Sequence, residues 1–100
     1  MLEKDIEKKL KKEVEKFGGM CLKFNIPGRA GMPDRVILLP GSRIVFVELK
    51  RPGKNLRSLQ KKRLKQLQAL GFRAVKIDSE EGVGELIDAI RTARIPEIRD

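Results

Sequence analysis

Residues 32–50 read MPDRVILLPGSRIVFVELK, and the fold turns on this stretch. Two runs rich in aliphatic and β-branched residues, RVILL from Arg35 and RIVFVEL from Arg43, are separated only by Pro40, Gly41 and Ser42. Such a pattern predicts two strands joined by a tight turn into an antiparallel hairpin. Both runs are apolar at successive positions rather than alternately, which marks them as central strands of a sheet covered on both faces. Three charges stand at their ends: Asp34 before the first, Glu48 and Lys50 closing the second. A hairpin lays the start of its first strand beside the end of its second, so Asp34 and Glu48 become neighbours. The period of two puts Glu48 and Lys50 on one face, roughly 6–7 Å apart at Cα. Charge at the end of a buried strand is costly unless the groups neutralise one another or hold something else.

The flanking segments supply the covering layers. LEKDIEKKLKKEVEKF, residues 2–17, carries Leu2, Ile6, Leu10, Val14 and Phe17 on one helical stripe, stopped by Gly18 and Gly19. MCLKF, from Met20, reads as a short strand, and NIPGRAGMP, residues 25–33, as a mobile basic loop. Beyond the hairpin, Leu56, Leu59, Leu64, Leu67 and Leu70 follow near-helical spacing, with Ser58 as cap and Gly71 as stop. FRAVKI, residues 72–77, is a fourth strand. Asp78 or Ser79 caps a last helix whose apolar face is Val83, Leu86, Ile87 and Ile90. The tail from Arg94, with Pro96, is expected to be irregular. The order is α-β-β-β-α-β-α, an α/β sandwich with a mixed four-stranded sheet, and residues 1–100 form one domain.

Composition narrows the chemistry. The chain has 23 Lys and Arg against 14 Asp and Glu, a net charge of +9 that suits a polyanionic partner such as nucleic acid. No apolar run approaches the roughly 20 residues of a membrane span, and no signal peptide is apparent, so a cytoplasmic protein without membrane attachment is expected. Histidine is absent and Cys21 is the single cysteine. That removes histidine-based nucleophile systems and zinc clusters, and leaves Cys21 as a small core residue. Hydrolytic chemistry would fall to carboxylates, lysine and a hard cation. Asp34 and Glu48 placed side by side repel unless a cation sits between them, and Mg²⁺ or Mn²⁺ held by one or two carboxylates suits that pair. Lys50 beside them would stabilise charge developing on a phosphate or orient the attacking water.

GMPDRVIL with the Pro-Asp pair at Pro33 and Asp34, then VELK with Glu48, fourteen residues after Asp34, and Lys50, resembles the PD-(D/E)xK nuclease motif. The wider pattern from Ile6 to Asp78, including IEKKL, LKF, PGRAGMPDRVILLPGSRIVFVELKRPGKNL and the following glutamine, resembles the small stand-alone VRR-NUC domains of phages and bacteria. The resemblance implies a restriction-endonuclease-like fold and a Mg²⁺- or Mn²⁺-dependent DNA endonuclease. It makes Asp34, Glu48 and the backbone carbonyl of Leu49 metal ligands and Lys50 the catalytic lysine. It also brings in Glu7 as a helix carboxylate and Gln60 as a site-positioning residue. Periodicity leaves Glu3, Glu7 and Glu13 open, because all three flank the apolar stripe, and it also allows Gln60 to be a solvated helix residue.

The stand-alone members further imply a homodimer acting on branched DNA in the manner of a Holliday-junction resolvase. Lys23, Arg29, Arg35, Lys54, Arg57 and Lys61, on or near the loops around the site, are the candidate backbone contacts, where neutralised phosphates give salt-sensitive affinity. Two other classes remain in view. One is a non-catalytic basic nucleic-acid-binding module; the other is a nuclease working on flap, nicked or duplex DNA beside a helicase or replication partner.

Overall fold

A computed structural model describes residues 2–92, and the tail expected to be irregular lies outside the described residues. The element order is α1 (Glu3–Lys16), β1 (Met20–Lys23), β2 (Arg35–Leu39), β3 (Arg43–Leu49), α2 (Ser58–Ala69), β4 (Arg73–Ile77) and α3 (Glu80–Thr92), as the sequence pattern predicts. The four strands form one sheet in the order β1-β2-β3-β4. β2 runs antiparallel to both of its neighbours, β1 and β3, and β4 runs parallel to β3 after the α2 crossover. The hairpin turn works because Gly41 and Ser42 both take positive φ, 80° and 58°, the hand that matches the twist of the flanking strands.

Alternate residues of the sheet serve different layers. Ile37, Leu39, Val45, Val47 and Leu49 pack with Ile6, Leu10 and Val14 of α1 and with the apolar face of α3. The opposite face carries Phe46 and Ala74 against Leu64 and Leu67 of α2, with Phe24 and Val36 at its margin. This second layer is smaller, and the expectation of full cover on both faces fails at one end of the hairpin. Leu38 and Ile44 are 36 % and 37 % exposed there, because the single helix α2 packs chiefly along β4.

The helix ends also refine the sequence reading. Gly18, at φ 88°, turns the chain out of α1 as the expected stop. Ser79 Oγ accepts the Gly82 N–H at 2.9 Å, so it is Ser79 that caps α3. At α2 the cap position is Arg57, not Ser58, and the Arg57 N–H is satisfied by Gln60 Oε1 at 2.9 Å. The leucine stripe shifts accordingly: Leu59 and Leu70 are exposed, while Gln60 joins Leu64 and Leu67 on the buried side. Cys21 is half-buried against the larger core.

Candidate active site

The strand register fixes the first contact. Arg35 lies opposite Val47, so the residues one step outward, Asp34 and Glu48, face each other where β2 begins and β3 ends. Asp34 is held there by its own backbone and side chain. The Phe24 N–H donates to the Asp34 carbonyl at 2.9 Å, and Asp34 Oδ1 accepts the Leu49 N–H at 3.0 Å. Pro33, fully buried, fixes the approach of the chain.

Glu48 and Lys50 leave β3 on the α2 side of the sheet and are buried, at 5 % and 7 % exposure. Lys50 Nζ lies 3.6 Å from Glu48 Oε2, and Gln60 Nε2 donates to the same oxygen at 3.1 Å. Gln60 is itself 7 % exposed. The glutamine that periodicity leaves open is therefore not solvated: it is aimed at the carboxylate. The one side chain does two jobs, closing the N-terminus of α2 with its oxygen and orienting Glu48 with its nitrogen.

Electrostatics follow from this packing. Burial pushes the Asp34 carboxyl above its ordinary pKa, more than the Leu49 N–H and Arg35 pull it down. Burial also raises Glu48, and the Asp34 charge raises it further, against the opposing pull of Lys50. Two carboxylates both resisting ionisation form a site that gains from a cation.

The donor set fits a hard divalent ion. Among the described residues Glu48 Oε1 and Asp34 Oδ2 accept no hydrogen bond, and the Arg35 guanidinium stands 3.8 Å from Asp34 Oδ2 as a loose ion pair. No group of three or more His, Cys, Asp or Glu side chains is gathered as a metal cage among the described residues. Mg²⁺ characteristically takes one or two carboxylates and completes its shell with water and substrate phosphate, so two suffice. A cleft of about 370 Å³ opens over the pair, walled by Gly31 and Met32 on one side and by Arg57, Leu59 and Gln60 on the other.

The three helix carboxylates that the sequence leaves open are separated by the structure. Glu13 pairs with Lys16 at 3.5 Å. Glu7 is engaged by Arg35, whose guanidinium donates to Glu7 Oε2 at 2.6 Å and to the Asp34 carbonyl at 2.8 Å. Glu7 thus braces the backbone of Asp34 through Arg35, which places the expected helix carboxylate one residue contact away from Asp34. Glu3, at the first turn of α1, is the helix carboxylate whose charge reaches Asp34, and it lines a recess with Lys50, Arg51 and Lys54. The angle between α1 and the sheet puts it there, and no pattern within the helix encodes that angle.

The expected phosphate contacts divide in the same way. Lys23, Arg29, Lys54 and Arg57 are exposed around the site. Arg35 is more enclosed than these, with its side chain 12 % exposed and paired with Glu7. Lys61 lies with Lys62 and Lys65 along the outer side of α2 and does not line the cleft. Arg63, not singled out from sequence, and Leu59, expected in the leucine stripe of the core, turn towards the 25–33 loop: Arg63 Nε donates to the Ala30 carbonyl at 3.1 Å, and Gly31 rests on Leu59. Their spacing of four on α2 is the sequence signal for that shared face.

Comparison with known proteins follows the same architecture. The VRR-NUC domain model matches residues 3–81. "Putative nuclease p44" of Acyrthosiphon pisum secondary endosymbiont phage 1 is 44 % identical over 79 residues, covering 79 % of this chain and 85 % of that protein. A solved structure described as a VRR_NUC domain superposes with a TM-score of 0.80 at 29 % identity, covering 86 % of this chain and 94 % of that one.

Proposed function

The chain belongs to the VRR-NUC family, and from that premise we propose that it is a metal-dependent DNA endonuclease acting on branched DNA as a homodimer. The observation that carries the reading is the convergence of Asp34, Glu48, Lys50 and Gln60 at one sheet end, with Gln60 and Lys50 both on Glu48 Oε2. A binding module facing a polyanion has no use for a carboxylate pair held against its own repulsion.

Asp34 and Glu48 would hold Mg²⁺ or Mn²⁺ through the oxygens that accept no hydrogen bond, Asp34 Oδ2 and Glu48 Oε1. The Leu49 carbonyl is a third donor, because in an extended residue N–H and C=O point to the same edge and the Leu49 N–H is on Asp34. A divalent ion bound there supplies Lewis-acid polarisation of a phosphoryl oxygen and a more acidic water. The chain's own groups do the rest. Lys50 brings a positive charge into a buried setting, where it stabilises the charge developing on the phosphate more strongly than in water. Gln60 fixes the Glu48 carboxylate in one orientation, and Arg35, tied to Glu7, fixes the Asp34 peptide. Glu3 is the carboxylate of α1 we assign to the electrostatics of the site. Lys23, Arg29, Lys54 and Arg57 neutralise backbone phosphates, giving binding that weakens steeply with salt.

Among the described residues no helix is long and apolar enough to cross a membrane. We place the activity inside the cell, where DNA is available. Labelled four-way junction, flap and linear duplex, incubated with Mg²⁺, Mn²⁺ or EDTA, test the proposal. Cleavage in either metal, absent in EDTA and strongest on the branched substrates, is the expected result. Tight binding with no cleavage in either metal would establish the binding module instead.

A further inference from the structure

The loop between β1 and β2 has features that the metal site does not use. Its two ends are closed on each other by the Phe24 N–H on the Asp34 carbonyl at 2.9 Å, and the Phe24 ring packs on Phe46 with centroids 5.4 Å apart. Further along, Arg63 of α2 donates to the Ala30 carbonyl at 3.1 Å. Gly31, at φ 81°, sits so close to Leu59 that a Cβ would come within 2.6 Å of the Leu59 Cγ. The sequence suggests a mobile loop; these contacts tie its base to the sheet and to the same helix that carries Gln60.

The tip is built to keep one shape. The Arg29 N–H donates to the Ile26 carbonyl at 3.2 Å across Pro27 and Gly28, and Gly28 has φ 77°. Proline at the second position and a positive-φ glycine at the third define a type II turn with little freedom to lose on binding. This turn leaves Ile26 37 % exposed and Pro27 exposed, with exposed Arg29 closing it and exposed Lys23 three residues before Ile26 in the chain. Gly31 and Met32, further along the same loop, form one wall of the cleft over Asp34 and Glu48. A partly exposed apolar turn closed by a cation, on a loop that runs on into the proposed phosphodiester-cleaving cleft, has the chemistry of a DNA wedge: the cation holds the backbone while an aliphatic side chain replaces a stacked base.

We propose that the Ile26–Arg29 turn is a wedge that inserts Ile26 and Pro27 at a DNA branch point, separating base pairs beside the scissile strand and conferring preference for branched over linear DNA. This rests on the nuclease reading of the cleft. The cost of unstacking is least where pairing is already interrupted, so a rigid wedge discriminates by DNA structure without reading a base.

The test uses the full chain carrying Asp34→Asn, with 2-aminopurine at the branch of a four-way junction and protein titrated to saturation. Fluorescence rises on binding, and adding Ile26→Ser abolishes most of the rise, whereas Leu70→Ser, at a 74 % exposed position at the C-terminal end of α2, leaves it intact. In the cleaving protein, Ile26→Ser lowers the ratio of junction to duplex cleavage by about tenfold, the loss expected for one aliphatic side chain no longer buried. Equal fluorescence with and without Ile26→Ser, an equal loss with Leu70→Ser, or no binding at saturating protein would overturn the wedge. Failure of the nuclease reading is a separate result: no metal-dependent cleavage by the unaltered chain, whatever the fluorescence does.

Discussion

The two faces of the sheet differ in what they bury. The face under α1 and α3 is aliphatic, with Ile6, Leu10, Val14, Ile37 and Val47 fully enclosed and no charge among them. The face under α2 buries a smaller apolar cluster and then, at one end, Glu48, Lys50 and Gln60. Alternation along β3 assigns these tasks residue by residue: Val45, Val47 and Leu49 to the first face, Phe46 and Glu48 to the second. The division lets the second face carry unfavourable charge burial because the first supplies the stability. One strand can therefore be both the centre of the core and the floor of the candidate site.

Substitutions on the two faces should separate accordingly, and the largest effect is on chemistry. Lys50→Met keeps the length and burial of the side chain and removes its charge; the cleavage rate under saturating metal should fall by about 10²–10³-fold while the fold is retained. A circular-dichroism melt beside the rate measurement checks both halves, and an unchanged rate would remove the lysine from the reaction. On the other face, Leu10→Ala leaves a void in a fully enclosed position and should cost about 2–5 kcal/mol in denaturant unfolding. Its cleavage rate well below the melting temperature should stay close to that of the unaltered chain. If the rate fell as far as the stability, the two faces would not be independent.

Gln60→Leu tests the point where the faces' roles meet. It preserves apolar packing beside Leu64 and Leu67 but removes the donor to Glu48 and the acceptor for the Arg57 N–H. Groups that orient a metal ligand typically contribute 10–100-fold, so a rate loss of about tenfold with weaker Mn²⁺ binding by calorimetry is expected. The smallest effect is one of pH. The pKa values of Asp34 and Glu48 are raised in the folded state, so the native protein holds protons that the unfolded chain has already released. That contribution is present at acidic pH and lost as pH rises through the folded values. In EDTA at neutral pH, Asp34→Asn should therefore melt a few degrees above the unaltered chain, and the gap should close as pH falls towards the ordinary carboxylate range. A gap that widened at low pH would contradict the repulsion between the pair.

These contrasts also explain what the sequence made legible. Asp34, Glu48 and Lys50 could be brought together from a three-residue turn and the period of a strand, because both are local rules. Gln60 was readable in part: its spacing to Leu64 and Leu67, four and then three, is a helical face as regular as the leucine stripe. A polar residue at the head of such a face is hidden by any search for apolar periodicity alone. The choice among Glu3, Glu7 and Glu13 was not legible, since it depends on how α1 crosses the sheet. Nor was the burial of Arg35, whose partner Glu7 lies 28 residues away. The basic loops looked alike in sequence, and only tertiary contacts from Leu59 and Arg63 distinguish the tethered 25–33 loop.

The most direct test of the central claim, that the charged end of the second face holds a metal over a phosphodiester, is cleavage of labelled four-way junction by the unaltered chain and by Asp34→Asn. Both are assayed in Mg²⁺ with DNA binding measured in parallel. The account predicts cutting by the first, none above background by the second, and junction binding by both. Equal cutting by the two proteins would contradict it.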